Sequence, residues 1–310
     1  MSIKVLFAAH SERWDIYKPA LEQAFAALAL DVHLATDIPS KDVDYIVYAP
    51  NSPLQDFTPF TRAKAVLNLW AGVEAVTNNA TLSIPLARMV DPGMTKSMCE
   101  WVAGHVMRYH LGMDRHIVNP DQKWQPHTPP LASERSVCIL GMGALGTAVA
   151  KVLNALHFKV SGWSRREKIV AGVTMYYGDD GLKDALANAE ILVLLLPDTK
   201  ETANTLNTES LALLPKGAFV INPGRGPLID DQALLEALDN GQVAQATLDV
   251  FRVEPLPQDH PFWSDPRVTV TPHIAAETRE HTASQVIAEN VRRGEAGEEF
   301  LHLVDRKSGY

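Results

Sequence analysis

Cysteine is scarce in this chain, which has only two, Cys99 and Cys138, among its 310 residues. They lie far apart in apolar surroundings and do not form a CxxC pair. This pattern argues against a disulfide framework and against a cysteine-based metal site, and it is typical of small buried side chains.

Positive charge is also in short supply. Lys and Arg total 28 against 37 Asp and Glu, which gives a formal net charge of −9. We therefore expect neither a polyanion-binding surface spread over the molecule nor nucleic acid as a partner, although a local basic pocket is compatible with this balance.

Long apolar runs are missing as well. The N-terminal run MSIKVLFAAH is too short for a signal sequence with its flanks and far too short to cross a bilayer. The sequence therefore predicts a cytoplasmic protein without a membrane partner.

Two domains are expected, because 310 residues exceed the roughly 250 to 300 that one hydrophobic core usually supports. Strand-like and helical patterns alternate in the first stretch: IKVLFA, PALEQAFAALAL, VHLA, VDYIVYA and AVLNLWAG. After the helical pattern MTKSMCEWVAGHVMRYHLGMDRH and the polar segment NPDQKWQPHTPPLASER, the alternation restarts at Ser136 with about seven more strands. A last helix, roughly Ala276 to Arg293, cannot bury itself alone and is expected to return to the first domain.

The predicted fold class is therefore α/β, with two doubly wound parallel-sheet domains of the Rossmann type. One domain comprises residues 1–98 plus 277–310, and the other comprises residues 99–276.

Gly141, Gly143 and Gly146 form a GxGxxG motif between the strand SVCIL and the helix ALGTAVAKVLNALHF. In this context the three glycines suit a tight turn, close approach to a pyrophosphate and close helix-strand packing. The alternative is a glycine turn without a ligand.

A second cofactor signal follows the next strand, where NAD enzymes usually keep a carboxylate for the ribose hydroxyls. This chain has Ser164, Arg165 and Arg166 there. A serine removes the repulsion of a 2′-phosphate and guanidinium groups bind it, so the stretch favours NADP. The alternative is a solvated pair of surface arginines.

Four further candidates follow the predicted parallel strands at the edge where open α/β sheets bind ligands: Arg225, Asp249, Glu254 and His273. A carboxylate can hold an imidazole in one tautomer for proton transfer, and an arginine can polarise a neighbouring carbonyl.

The motifs GMGALG, LLLPDTKET, NPGRG, LDVF, EPLP and TPHIAA together resemble the D-isomer-specific 2-hydroxyacid dehydrogenases over essentially the whole chain. SGWSRREK, NLWAGVEAV and the ending VDRKSGY are most similar to the glyoxylate/hydroxypyruvate reductase A branch of that family. The resemblance implies a cofactor domain inserted into the catalytic domain, NADPH as cofactor, no metal and a homodimer.

The resemblance also assigns roles to residues. It implies that Arg225 orients the substrate, that Glu254 is the carboxylate partner and that His273 is the general acid. It places Asp249 beside the nicotinamide, and it implies that backbone N–H groups of the turn Trp70, Ala71, Gly72 and Val73 hold the substrate carboxylate. The remaining implied cofactor contacts are Ala144, Leu145, Leu196, Pro197, Thr202, Pro223 and Gly224, beside the glycines and basic residues above.

The expected reaction is NADPH-dependent reduction of glyoxylate to glycolate and of hydroxypyruvate to D-glycerate. One alternative is an NADP-dependent dehydrogenase of another D-2-hydroxy acid, and another is a nucleotide-sensing binding protein without catalysis. The role of Trp70 is open at this point, because its indole can either limit the size of the substrate or belong to the core.

Overall fold

The computed structural model describes residues 2–117 and 121–306. Asn119 and Pro120, at the start of the predicted polar segment, and residues 307–310 of the ending VDRKSGY lie outside the described residues.

Twelve strands and nine helices are formed within the described residues. The strands are Ile3–Ala8 (β1), Val32–Ala35 (β2), Tyr45–Tyr48 (β3), Ala65–Asn68 (β4), Leu86–Ala87 (β5), Ser136–Leu140 (β6), Lys159–Ser164 (β7), Thr174–Tyr177 (β8), Ile191–Leu194 (β9), Ala218–Asn222 (β10), Val243–Leu248 (β11) and Val268–Val270 (β12). The helices are Trp14–Ala27 (α1), Glu74–Thr77 (α2), Pro92–Leu111 (α3), Asp114–Ile117 (α4), Ala144–Ala155 (α5), Gly178–Ala187 (α6), Thr208–Leu211 (α7), Asp231–Asp239 (α8) and Glu280–Ala296 (α9).

The chain divides into two compact units. The first consists of Met1–Met94 and Thr278–Tyr310, and the second of Thr95–Glu277. The second unit is thus inserted into the first along the chain.

The first unit contains a parallel five-stranded sheet in the order β2-β1-β3-β4-β5. Its core joins apolar residues of the strands to one face of α1 and one face of α9. Ile287 and Val291 of α9 are buried in this core. The last helix thus packs in the core of the first unit.

The second unit contains a parallel seven-stranded sheet in the order β12-β11-β10-β9-β6-β7-β8. This is a doubly wound order. The order in which strands are added to the sheet reverses between β6 and β9, and such a reversal opens a crevice for ligands beyond the strand ends. The predicted fold class and the seven predicted strands are confirmed.

Three details differ from the sequence prediction. Helix α1 begins at Trp14 rather than Pro19, so Pro19 lies inside the helix. The long predicted helix ends at Leu111, because Gly112 takes a left-handed backbone conformation (φ 60°), and α4 follows as a separate turn. The sequence prediction missed strand β5, since two residues are too few to show the alternation of apolar and polar positions that is typical of a strand.

Candidate active site

The glycine motif lies at the reversal point of the seven-stranded sheet. Gly141 has φ 105°, and a Cβ there would lie 2.4 Å from the carbonyl oxygen of Leu195, the residue after β9. A Cβ at Gly146 would lie 2.1 Å from the carbonyl oxygen of Gly141, whereas a Cβ at Gly143 would meet nothing within 4 Å. Two glycines are thus required by close packing, and Gly143 leaves open space in front of α5, as a bound pyrophosphate needs.

The basic stretch after β7 folds against this glycine loop. The backbone N–H of Gly141 donates to the carbonyl of Trp163 at 3.0 Å, and the Ser164 hydroxyl donates to the carbonyl of Arg166 at 2.7 Å. Lys168 donates from Nζ to the carbonyl of Met142 at 2.5 Å. Lys168 was not among the predicted cofactor residues, although SRREK shows it as a third cation.

The loop after β9 is stabilised by Thr202. Its hydroxyl donates to the carbonyl of Pro197 at 2.6 Å and accepts the N–H of Thr199 at 2.9 Å. Leu196 is buried in the core of the second unit. These hydrogen bonds give Thr202 a role in shaping the loop, and its predicted contact with the cofactor stays a prediction.

Arg225 follows β10 in a turn that Asn222 stabilises. The Asn222 amide donates to the carbonyl of Arg225 at 2.9 Å and accepts the N–H of Gly224 at 3.1 Å. A Cβ at Gly226 would lie 1.9 Å from the carbonyl carbon of Phe251, so this turn packs directly on the backbone segment that leads to Glu254. Pro223 and Gly224 are buried.

Glu254 and His273 form a hydrogen-bonded pair. Nδ1 of His273 lies 2.7 Å from Oε2 of Glu254, and Oε1 of Glu254 accepts the N–H of Phe251 at 2.9 Å. The His273 side chain is 52% exposed, and its Nε2 has no hydrogen-bond partner among the described residues. The carboxylate thus orients an exposed imidazole through Nδ1, an arrangement that can serve proton transfer.

Asp249 stabilises the loop that carries His273. Its side chain is completely buried, and the carboxylate accepts the Thr271 hydroxyl at 2.6 Å and the N–H groups of Ile274 and Ala275 at 2.9 Å each. The N–H of His273, which has φ 55°, donates to the carbonyl of Asp249 at 2.8 Å. The predicted contact of Asp249 with the nicotinamide stays a prediction, and the structure adds this role in positioning His273.

The turn from Trp70 to Val73 follows β4 in the first unit and is shaped by Asn68. The Asn68 amide donates to the carbonyls of Trp70 at 2.8 Å and Gly72 at 3.1 Å. Trp70 is 43% exposed, which does not fit a core indole. Sequence reasoning missed Asn68 and Asn222, although an Asn between a buried strand and a glycine-containing turn is a recognisable signal for a side chain that bonds to the turn.

Residues 2–117 and 121–306 contain no group of three or more His, Cys, Asp or Glu that could hold a metal ion. In the same part of the chain, no helix combines the length and apolar character needed to span a membrane.

Residues 103–275 match the family model of the D-isomer specific 2-hydroxyacid dehydrogenase, NAD binding domain. Glyoxylate/hydroxypyruvate reductase A of Yersinia enterocolitica is 40% identical over 280 residues, which cover 87% of this chain and 89% of that protein. A D-isomer specific 2-hydroxyacid dehydrogenase of Xanthobacter autotrophicus, solved with NADPH and MES, has a TM-score of 0.93 at 38% identity, and all of both chains is covered. An NADPH-dependent glyoxylate/hydroxypyruvate reductase of Sinorhizobium meliloti, solved with NADP and sulfate, has a TM-score of 0.84 at 32% identity, again over all of both chains.

Proposed function

The chain belongs to the D-isomer specific 2-hydroxyacid dehydrogenase family, and from this premise we propose that it is an NADPH-dependent reductase of small 2-ketoacids. The proposed substrates are glyoxylate and hydroxypyruvate, which the names of the Yersinia and Sinorhizobium relatives also give. The observation that carries the proposal is the 2.7 Å pair of His273 and Glu254, which provides an oriented proton donor.

The cofactor proposal is supported by the fit of the residues around the glycine loop. The open space at Gly143 suits the pyrophosphate, and Ser164 ends β7 where a carboxylate would repel a 2′-phosphate. Arg165, Arg166 and Lys168 supply positive charge on the loop that follows. The Xanthobacter and Sinorhizobium relatives were solved with NADPH and NADP respectively, which agrees with this choice.

In the proposed mechanism, bound NADPH supplies the hydride that C2 of the ketoacid needs. Protonated His273 donates its Nε2 proton to the carbonyl oxygen, while Glu254 stabilises the imidazolium through Nδ1. Arg225 binds the substrate and stabilises the negative charge that develops on the same oxygen. Asp249 and Asn222 keep the backbone around His273 and Arg225 in place.

We assign the second unit to the cofactor and the first unit to the substrate carboxylate. The carboxylate would bind the turn from Trp70 to Val73, as the family resemblance implies. The exposed indole of Trp70 fits a size limit at this turn, and it favours short ketoacids over aromatic ones.

A substrate panel tests the proposed function. We expect glyoxylate and hydroxypyruvate to be reduced with higher kcat/KM than pyruvate or phenylpyruvate, and NADPH to be preferred to NADH. A preference for phenylpyruvate would instead support a dehydrogenase of another D-2-hydroxy acid. Cofactor binding without turnover of any ketoacid would support the nucleotide-sensing alternative.

The first prediction concerns cofactor choice. The double variant Arg165→Gln/Arg166→Gln should weaken NADPH binding by roughly 10- to 100-fold and change NADH binding little, because only NADPH carries the 2′-phosphate. Equilibrium titration of the cofactor fluorescence measures both constants. The variant Lys151→Gln/Lys216→Gln removes the same charge from the same unit and serves as the control. Equal weakening of both cofactors would show that the two arginines act only through general electrostatics.

A homodimer is the proposed assembly, and exposed apolar side chains support it. Ile117, Trp124 and Leu131 lie close together in the sequence and are 70%, 98% and 70% exposed, and contact with a second copy of the chain would remove their apolar surface from water.

The second prediction follows from these side chains. Trp124→Ser should weaken the dimer, and a shift toward monomer mass should appear on dilution in analytical ultracentrifugation. Ile169→Ser, which removes a 93% exposed apolar side chain elsewhere, should leave the mass unchanged. A wild-type protein that sediments as a monomer at micromolar concentration would contradict the proposed assembly.

The cytoplasm is the proposed compartment, and cell fractionation would test it.

A further inference from the structure

Arg88 follows β5 in the first unit and is partly buried. Its guanidinium makes no hydrogen bond and no ion pair with any residue in 2–117 or 121–306, while its backbone N–H donates to the carbonyl of His302 at 3.0 Å. Burial lowers the pKa of the Arg88 guanidinium, and the carboxylate of Glu74 opposes that shift through its charge. A partly buried cation with five unused donors is unfavourable unless a ligand satisfies it.

The position of Arg88 follows from the register of the sheet. Leu86 and Ala87 of β5 pair with Val66 and Leu67 of β4, so the next residues in this register are Arg88 and Asn68. Paired residues of neighbouring strands project from the same face of a sheet. Arg88 therefore lies on the face where Asn68 bonds to the carbonyls of the turn from Trp70 to Val73.

Two further contacts support this position. The N–H of Met89, the next residue, donates to the carbonyl of Trp70 at 3.0 Å. Glu74, whose charge acts on Arg88, directly follows the turn in the sequence. The backbone beside Arg88 is thus bonded to the turn, and the guanidinium lies within the range of the charge of Glu74.

The turn itself has unused donors. Its carbonyls at Trp70 and Gly72 are engaged by Asn68 and Met89, whereas the N–H groups of Ala71, Gly72 and Val73 donate to no acceptor in the described part of the chain. The N–H groups of the turn and the guanidinium of Arg88 are therefore donors that the same ligand could satisfy, an anion with several acceptor oxygens.

We propose that Arg88 binds the carboxylate of the ketoacid substrate together with the N–H groups of the turn from Ala71 to Val73. The proposal rests on the proposed function and adds a specificity residue to it. A guanidinium can bind both oxygens of a carboxylate in a fork, which the backbone N–H groups alone cannot match in charge.

Arg88 and Arg225 would then have different tasks. The carboxylate carries its full charge before and during the reaction, so Arg88 contributes equally to binding the ground state and the transition state. Arg225 acts on the carbonyl oxygen, whose charge develops only in the transition state. Removal of the Arg88 side chain should therefore mainly raise KM, and removal of the Arg225 side chain should mainly lower kcat.

The test compares Arg88→Gln and Arg88→Lys with Arg62→Gln. Arg62 lies in the same unit, where it pairs with Asp44, so its variant loses the same charge away from the turn. For each protein we would measure KM and kcat for glyoxylate, the Kd of NADPH, the thermal midpoint and the Kd of oxalate for the NADPH complex. Oxalate binds as a carboxylate without being reduced, so its titration does not depend on turnover.

We expect Arg88→Gln to raise the KM for glyoxylate and the Kd of oxalate by about 10- to 100-fold, as the loss of charge-assisted hydrogen bonds predicts. kcat should change less, NADPH binding should stay at the wild-type value, and the thermal midpoint should not fall, since a desolvated cation is removed. The KM for glyoxylate and the Kd of oxalate of Arg88→Lys should lie between those of the wild type and Arg88→Gln. Arg62→Gln should bind both ligands like the wild type.

Wild-type values of KM and oxalate Kd in folded Arg88→Gln would overturn the assignment of Arg88. The same holds if both constants change equally in Arg88→Gln and Arg62→Gln. Failure of the proposed function would look different, because the wild type itself would then reduce no ketoacid. The oxalate titration would still decide whether Arg88 binds a carboxylate.

Discussion

Replacing His273 with asparagine should lower kcat for ketoacid reduction by on the order of 10²-fold or more, while NADPH still binds. The asparagine amide can take the place of Nδ1 beside Glu254, but it does not reach the Nε2 position and cannot act as an acid there. The Asp249 contacts to Ile274 and Ala275 do not involve the imidazole, so the loop should keep its conformation. Single-turnover kinetics under saturating NADPH measure the loss at the chemical step.

His33→Asn is the matched control, because His33 is exposed on β2 of the first unit. Its turnover should equal that of the wild type. If His273→Asn kept near-wild-type turnover, His273 would not be the proton donor. If the variant instead failed to bind NADPH, its effect would be structural and the acid role would remain without support.

Replacing Arg225 with glutamine should lower kcat/KM for glyoxylate by about 10²- to 10³-fold, the loss typical of a missing donor to a developing oxyanion. Lysine keeps the positive charge but loses the planar fork, so Arg225→Lys should be better than glutamine and still clearly impaired. The turn should survive both changes, because Asn222 binds its backbone rather than the Arg225 side chain.

Steady-state kinetics with glyoxylate and hydroxypyruvate measure both Arg225 variants. Full activity of Arg225→Lys would show that Arg225 acts only as a point charge. Wild-type activity of Arg225→Gln would place the substrate elsewhere.

The second unit was largely predictable from the sequence because its signals are local. Most of its strands are short runs rich in apolar residues, and the Gly141 motif stands directly between β6 and α5. Glu254 and His273 were proposed as a pair, and the structure brings them within 2.7 Å. Strand-end positions predicted that both residues lie at one edge of the sheet, since parallel strands bring their following loops there, and the family resemblance implied that they pair.

Other features depend on contacts that no local pattern contains. The packing of Gly226 on Phe251 and the fold of Lys168 onto the glycine loop join segments that are distant in the sequence. The Asp249 carboxylate was expected to face a ligand, and its three hydrogen bonds to residues 271–275 became visible only with the loop folded around it. Arg88 gave no signal because the absence of a hydrogen-bond acceptor for its guanidinium among residues 2–117 and 121–306 is a property of the folded neighbourhood.

The proposed activity is the reduction of a small 2-ketoacid with NADPH. The most direct measurement incubates the wild-type protein with hydroxypyruvate and NADPH, follows the loss of NADPH absorbance and identifies the product by chiral chromatography. We predict one D-glycerate formed for each NADPH oxidised, with a higher kcat/KM than with NADH. The absence of NADPH oxidation with either hydroxypyruvate or glyoxylate, in a protein that binds NADPH, would contradict it.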